Sequence, residues 1–440
     1  MDKLPAALGL IEEQFTVSAK FMRDIASGFQ QAMSDGLAGR QSSLRMLPSF
    51  ISNPTGREEG KVIAVDFGGT NVRVLLVELA GKGRVNIIDK RSALLKDRDG
   101  IYDYTSSSAS GTELFDFIAG KVSEIAPPGH TYPLGHTFSF PCRQHGVNEA
   151  VLISWTKEFK TTGVEGQNIG QLLQVALDRR GSGHVQSLAV LNDTTGTLLA
   201  TAYTDTATSI GAICGTGHNS CYLEPCHPLT SQPMIVNLES GNFDGICQTE
   251  YDILLDQISE KPSAQRLEKM TSGQYLGELV RLIVNSLAVE GHISISSDRV
   301  RTPYSVSTED ISPILADTTP ELKAVADMAA KRWRINGLSL SELAAIKTAA
   351  WLVARRSARL AAATWAGILV KIDPGLTRRH TIAVDGSLYE KMPGYADNLY
   401  TALAEIFGDK AKQITIKLSK DGSGIGAAIA AATIYNTKSK

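Results

Sequence analysis

One short pattern occurs twice in this chain and limits its architecture more than any other feature. Val62-Ile-Ala-Val65 is an apolar run ending in Asp66-Phe-Gly-Gly-Thr-Asn71, and Val72–Leu79 follows as a second apolar run. The same order returns as Ile210-Gly-Ala-Ile213, Cys214-Gly-Thr-Gly-His-Asn219 and Cys221-Tyr-Leu223. Two β-prone runs joined by a glycine turn form a hairpin. The recurrence predicts a worn internal duplication: two related lobes, each opening with strand, glycine turn, strand.

The rest of the chain alternates between strand and helix signals. Phe21, Ile25, Phe29 and Met33 recur at a spacing of four, predicting an amphipathic helix. Pro48–Gly60, with Pro54, Gly56 and Gly60, reads as a connector. Ser187–Leu191 is an apolar strand ending at Asn192-Asp193, and Thr194-Thr-Gly-Thr197 is expected to cap the next helix. A long helix is predicted over Glu342–Ile368, ended near Pro374 and Gly375. Strands follow at Thr381–Val384 and Ile414–Leu418, then a loop Asp421-Gly-Ser-Gly424 and an Ala-rich terminal helix. This alternation predicts the α/β class. At roughly 100–200 residues per domain, 440 residues allow two to four domain-sized units.

Composition excludes several functions. With 44 Lys+Arg against 46 Asp+Glu, the chain has no overall pull toward nucleic acid or an anionic membrane. Aromatics at 6% leave little for base-stacking platforms. The longest apolar stretches, Leu360–Val370 and Ile425–Ile434, fall short of the about 20 residues a spanning helix needs. Asp2, Glu12 and Glu13 do not fit a signal peptide. The five cysteines form no CxxC pair and cannot all pair with one another, which predicts a cytoplasmic protein with free thiols. Cys221-x4-Cys226 could be half a zinc site, but no second pair accompanies it.

Four groups of residues could carry chemistry. Gly68-Gly69 and Gly215-Thr-Gly217 are either ordinary type I′ hairpin turns or two nests of backbone N–H groups holding one polyphosphate from opposite lobes. No Walker sequence or kinase-type GxGxxG is present, so a nucleotide site must be of the two-hairpin kind. Asp193 ends a strand where α/β ligands bind; it could accept a hydroxyl proton or simply favour a helix N-terminus. Lys157, beside Trp155, is either a surface residue or a charge for a transferring phosphoryl group. Asn219, Glu239 and Glu268 belong to an amide- and carboxylate-rich set that suits a polyhydroxylated sugar, since each hydroxyl both donates and accepts.

In this order the motifs resemble the hexokinase family in its eukaryotic-type single-unit form. The resemblance runs through Met46-Leu-Pro-Ser49, Val65–Val74, Thr137-Phe-Ser-Phe-Pro141, Trp155-Thr-Lys157, Gly163–Gly166, Asn192–Thr197, Gly215-Thr-Gly217, Glu268-Lys-Met270, Asp385-Gly-Ser387 and Asp421–Gly424. It implies ATP-dependent phosphorylation of a hexose at its 6-hydroxyl, in a fold of two actin-like ATPase (ribonuclease H-like) lobes around a sugar and ATP cleft. It implies a smaller lobe of 61–195 plus 421–440 and a larger lobe of 1–60 plus 196–420. By the same resemblance Asp193 is the general base and Lys157 steadies the phosphoryl group. Ser139, Thr156, Asn192, Asn219, Glu239 and Glu268 bind the sugar. Gly68, Gly69, Thr70, Asn71 and Arg73 form the first phosphate hairpin, and Gly215, Thr216 and Gly217 the second. Gly386 and Ser387 lie near the adenosine. Mg²⁺ arrives with ATP, with no protein cage of its own, and Asp66 meets it through water. The implied partners are small molecules alone, and nothing in the sequence specifies an oligomeric state.

The chain departs from the family pattern beside these positions. The usual Glu-Trp-Gly reads Glu239-Ser-Gly241, Asn242-Phe-Asp-Gly245 follows it, Glu158 replaces a glycine, Pro262-Ser-Ala precedes Gln265, and His218 sits in the second turn. These changes bear on sugar preference more than on the reaction. Two other classes share the parts. A sugar sensor without turnover is expected to lose Asp193, Lys157 or a phosphate glycine, and all are present. An actin- or chaperone-like ATPase leaves the Asn/Glu set without a purpose.

Overall fold

The computed structural model describes residues 3–156, 159–295 and 297–438. Its strands are β1 (Leu47–Pro48), β2 (Glu59–Phe67), β3 (Asn71–Ala80), β4 (Val85–Leu94), β5 (Tyr132–Phe138), β6 (Cys142–Gly146), β7 (Glu149–Leu152), β8 (Val185–Leu191), β9 (Thr208–Cys214), β10 (His218–Glu224), β11 (Met234–Asn237), β12 (His380–Asp385) and β13 (Ile414–Leu418). Apart from the ribbon β6-β7 they form two sheets, ordered β4-β3-β2-β5-β8 and β1-β11-β10-β9-β12-β13.

The two sheets repeat one plan. In the first, β2, β3 and β4 form an antiparallel meander, and β5 and β8 add in parallel beyond β2. In the second, β9, β10 and β11 form the meander, and β12 and β13 add in parallel beyond β9. The duplication expected from the glycine turns therefore extends to whole sheets, with β1 as an extra edge strand on β11.

The helices follow the apolar periodicity. Helix Ala19–Leu37 buries Ile25, Phe29 and Met33 and is capped by Ser18. Helix Leu340–Ile372 starts on a Ser339/Glu342 capping box and stops at Asp373, the residue before Pro374, where the α region is disfavoured. It centres the large apolar core that also holds Phe29, Trp333 and Trp365. No helix among the described residues is long and apolar enough to cross a membrane.

Helix Asp193–Thr204 lies between the sheets. Its Leu198, Leu199 and Ala202 share one apolar cluster with Ala189 and Leu191 of β8 and with Cys221 and Ile235 of β10 and β11. The terminal helix Gly422–Lys438 crosses it at glycine distance. A Cβ on Gly426 would stand 1.9 Å from the Gly196 carbonyl oxygen, and one on Gly196 2.6 Å from that of Ser423. Gly135 of β5 meets the same helix, with a would-be Cβ 1.9 Å from the Ala427 oxygen. Small residues let the backbones touch, which accounts for the Ala-rich composition of this last segment.

Several expectations are corrected. Neither Gly68, Gly215 nor Gly217 has a positive φ, so the turns are not of type I′, which requires φ > 0 at both central residues. The second turn is shorter than expected, because His218 and Asn219 already belong to β10. Asn192, not the threonines, caps the helix, its Oδ1 accepting from the Thr194 N–H at 2.9 Å. The Asp421–Gly424 loop shrinks to Asp421, with φ 54°, since Gly422 begins the terminal helix.

Candidate active site

The hairpin turns and the strand ends gather in one region. The first turn comprises Gly68, Gly69 and Thr70, and it closes with the Gly68 N–H donating to the Asn71 carbonyl at 3.1 Å. The second comprises Gly215, Thr216 and Gly217, with the Gly215 N–H donating to Gly217 at 3.1 Å. Two further backbones press against it. Gly273 donates to the Gly215 carbonyl at 2.7 Å, and Gln274 donates to Thr216 at 3.0 Å. Gly386 has φ 121°, and a Cβ there would stand 2.4 Å from the Cys214 oxygen. A side chain at Gly386 would push the Gly386–Ser387 segment off the turn, so glycine is required here.

Charge concentrates behind the first turn. Asp66 is 7% exposed and both its oxygens are engaged: Oδ1 accepts from the Thr137 hydroxyl at 2.9 Å, and Oδ2 accepts from Arg73 Nε at 2.9 Å. Arg73 also pairs with Asp421, which Lys90 meets at 3.0 Å. Burial works against the Arg73 charge, and Asp66, Asp421 and Asp385 outweigh it, holding its pKa above the ordinary value. Asp385, at the end of β12, shows the converse. Burial, with Asp193 and Asp66 nearby, pushes its carboxyl up to about 6, against the Gly386 N–H and Arg73, which favour its charge.

Asp193 is the first residue of its helix and its Oδ1 accepts from the Thr194 N–H at 2.8 Å. Asn192 and Glu239 line one cavity, with Phe138, Cys142 and Asn237, so both sheets contribute to its wall. Burial, and then the Glu239 charge, push the Cys142 thiol up to about 12, so it is not a reactive nucleophile at neutral pH. Glu239 has φ 52° and Gln265, which precedes the short helix carrying Glu268, has φ 54°. Glu239 itself, and the residue that opens the Glu268 helix, thus hold left-handed backbone that an ordinary L-residue adopts only when its surroundings hold it. A Cβ on Gly241 would meet Glu268 Oε2 at 2.8 Å, and one on Gly217 would stand 3.9 Å from Oε1. Glu268 therefore lies between the second turn and the Glu239–Gly241 turn. Ser240, where the family pattern has Trp, is completely buried, as is the ring of His218.

Ser139 and Thr156 are placed by aromatic packing. Phe67 stacks on Phe138 at 5.4 Å, and Phe140 meets Trp155 edge-on at 4.8 Å. Phe159 completes the cluster, which ties the first turn, the Ser139 loop and the Thr156 segment together. Lys157 lies outside the described residues. Asp385 and Asp421 stand in the sequence only as parts of motifs, and Asn237 carries no signal of its own; the structure puts all three beside residues of the site.

Two duplicated α/β sheets, two glycine turns and a cavity walled from both sheets are the architecture of a two-lobed phosphotransferase. Two family models, both described as hexokinase, match residues 7–203 and 209–433. Hexokinase-7 of Oryza sativa subsp. japonica is 38% identical over 448 residues, covering 96% of this chain and 95% of that protein. A crystal structure of a hexokinase superposes with a TM-score of 0.87 at 33% identity, covering 98% of this chain and 100% of that one. A hexokinase from Schistosoma mansoni gives 0.85 at 32% identity, over 98% and 99%. This chain belongs to the hexokinase family and is an enzyme of ATP-dependent hexose phosphorylation in the two-lobed, actin-like ATPase fold.

Proposed function

We propose that this enzyme transfers the γ-phosphoryl group of Mg-ATP to the 6-hydroxyl of glucose or a closely related hexose, with Asp193 as general base. The observation that carries this reading is the cavity walled by Asn192 and Glu239 from opposite sheets, with Asp193 next in the chain at the head of its helix. A carboxylate there meets a hydroxyl beyond the carboxyl end of β8, where α/β folds bind ligands. In a loose phosphoryl transfer it orients the nucleophile and takes its proton. The S. mansoni relative was solved with glucose, which supports glucose as the first sugar to test.

In this reading Ser139, Thr156, Asn192, Asn219, Glu239 and Glu268 hydrogen-bond the sugar, and Lys157 steadies the phosphoryl group. Residues Gly68 to Asn71 with Arg73, and Gly215 to Gly217, hold the phosphates, and Gly386 and Ser387 flank the adenosine. Mg²⁺ carried by ATP neutralises phosphate charge. Asp66 fits a contact to it through water, because Arg73 and Thr137 already occupy its two oxygens. The lobes are assigned as 61–195 with 421–440, and 1–60 with 196–420, closing on the sugar to exclude water. Five free cysteines support a cytoplasmic setting.

The test is ADP formation from Mg-ATP by purified protein without sugar, with glucose, and with a hexose panel. A large sugar-dependent rate is expected, and the panel ranks the substrates that the Glu239–Gly245 changes leave open. A rate indifferent to sugar, or sugar binding without any rate, refutes the proposal.

A further inference from the structure

We infer that Asn237 is a positioning residue for the sugar-binding carboxylate: it ends a one-way relay of side-chain amides that fixes where Glu239 presents its oxygens, and so it sets hexose affinity.

The direction of the relay follows from groups that can only donate. The backbone N–H of Ser220 and that of Ser240 both point at Asn219 Oδ1, at 2.7 and 3.1 Å. Asn219 must therefore present its oxygen to them and its NH₂ the other way. That NH₂ donates to Asn237 Oδ1 at 2.9 Å, and the Glu239 N–H reaches the same oxygen at 3.3 Å. Asn237 is then fixed in turn, and its Nδ2 donates to Glu239 Oε1 at 2.8 Å. Amide orientation is ordinarily ambiguous, but here every step is forced by a backbone donor or a carboxylate acceptor.

Burial and strain give the relay its purpose. Asn237 is 6% exposed and lines the same cavity as Glu239, so water competes poorly for its hydrogen bonds. Glu239 holds φ 52°, and its carbonyl accepts from Asn242 Nδ2 at 3.1 Å. A residue in this conformation relaxes unless its neighbours over-determine it. The Asn237 amide grips Glu239 at both ends, taking its N–H and giving to its carboxylate. The obvious replacements fall short at neutral pH: ionised Asp lacks the donor, Ala lacks both groups, Ser has only one short hydroxyl for the two ends, and Gln is a methylene longer.

The inference rests on the sugar site proposed above, so the experiment first establishes hexose-dependent ADP formation by the wild-type enzyme. Asn237→Asp and Asn237→Ala are then compared for the KM of glucose, the KM of ATP and kcat between pH 5.5 and 8.5. At pH 8 both variants should raise the glucose KM by about 10–100-fold, the loss of a charge-assisted hydrogen bond, with the ATP KM within about twofold. The glucose KM of Asn237→Asp should recover as pH falls, because a protonated carboxyl donates to Glu239 as the amide did. Asn237→Ala should show no such recovery. A merely structural role would shift all three parameters together and give no pH-dependent recovery, and that outcome overturns the inference. So does an unchanged glucose KM in either variant. If the Asp variant does not fold, the KM split in Asn237→Ala decides by itself. A wild-type rate that ignores hexose overturns the sugar site itself, a distinct result.

Discussion

Arg73 and Asp421 stand 348 residues apart in the chain and pair through Nη1 and Oδ1 at 2.5 Å. The pair joins the first hairpin to the head of the terminal helix, and Nε and Nη2 of the same guanidinium hold Asp66. Three of the five arginine N–H groups are spent on carboxylates, which leaves two for the phosphate contact proposed above.

Replacing Arg73 with Lys keeps the charge but loses this fork, so two carboxylates and a phosphate can no longer be held at once. The KM for ATP should rise about 10–100-fold, with the glucose KM little changed. Steady-state kinetics with each substrate varied in turn measures the split. An equal rise in both values would remove Arg73 from the nucleotide side.

Asp193→Ala should lower kcat by about 10²–10⁴-fold, the usual contribution of a positioned general base. Glucose binding, followed by calorimetry without ATP, should survive, since Asn192 caps the helix with its own side chain and holds the local fold. Near-normal turnover in this variant would refute the base assignment.

Asp385 makes a prediction about stability. Its carboxyl is pushed up to about 6 in the folded protein, first by burial and then by Asp193 and Asp66. The folded state thus binds this proton more tightly than the unfolded chain does. Stability is gained as pH falls from about 6 toward the ordinary carboxylate range, and the charged form is a cost at pH 7 and above. Asp385→Asn should therefore be more stable than wild type at pH 7.5, by up to about 3 kcal/mol. The gap should close between about pH 6 and 4. Urea unfolding across this range checks both the sign and the window, and a pH-independent gap would contradict it.

The glycine crossing can be tested against a built-in control. Gly426→Ala puts a methyl group 1.9 Å from a backbone oxygen, so the two helices must separate. A loss of about 1–3 kcal/mol or more is expected. Gly9 lies in helix Leu4–Phe15 with nothing within 4 Å of a Cβ, and Gly9→Ala should gain about 0.5–1 kcal/mol. Thermal unfolding of the two variants should move in opposite directions.

The two hairpins could be read from the sequence because their apolar runs are continuous and their glycines punctuate them. β5 could not. Tyr132-Pro-Leu-Gly-His-Thr-Phe138 contains Pro133, Gly135 and His136, which interrupt any strand pattern, yet all seven residues are buried in one strand. Only the tertiary structure explains them. Gly135 admits the terminal helix, and His136, with burial pushing its pKa down to about 3, sits neutral between Phe67 and Phe138. The site divides the same way. Glycines, Asn192, Asp193 and the two glutamates stand out as residue types in motifs. The Asn219–Asn237–Glu239 relay does not, because it depends on β10 and β11 lying side by side and on a left-handed φ at Glu239. The Asp385 shift likewise depends on burial first, and then on carboxylates far away in the chain.

The apolar face formed by Val62 and Ala64 of β2 with Leu75, Val77 and Leu79 of β3 is covered by Ala427, Ala428, Ile429, Ala431 and Ala432. These two strands are therefore finished by residues about 350 positions further along the chain. At 5–20 residues per second, this half of the molecule waits on the order of tens of seconds for its cover. A message stalled before the terminal helix would release the sheet with this face uncovered.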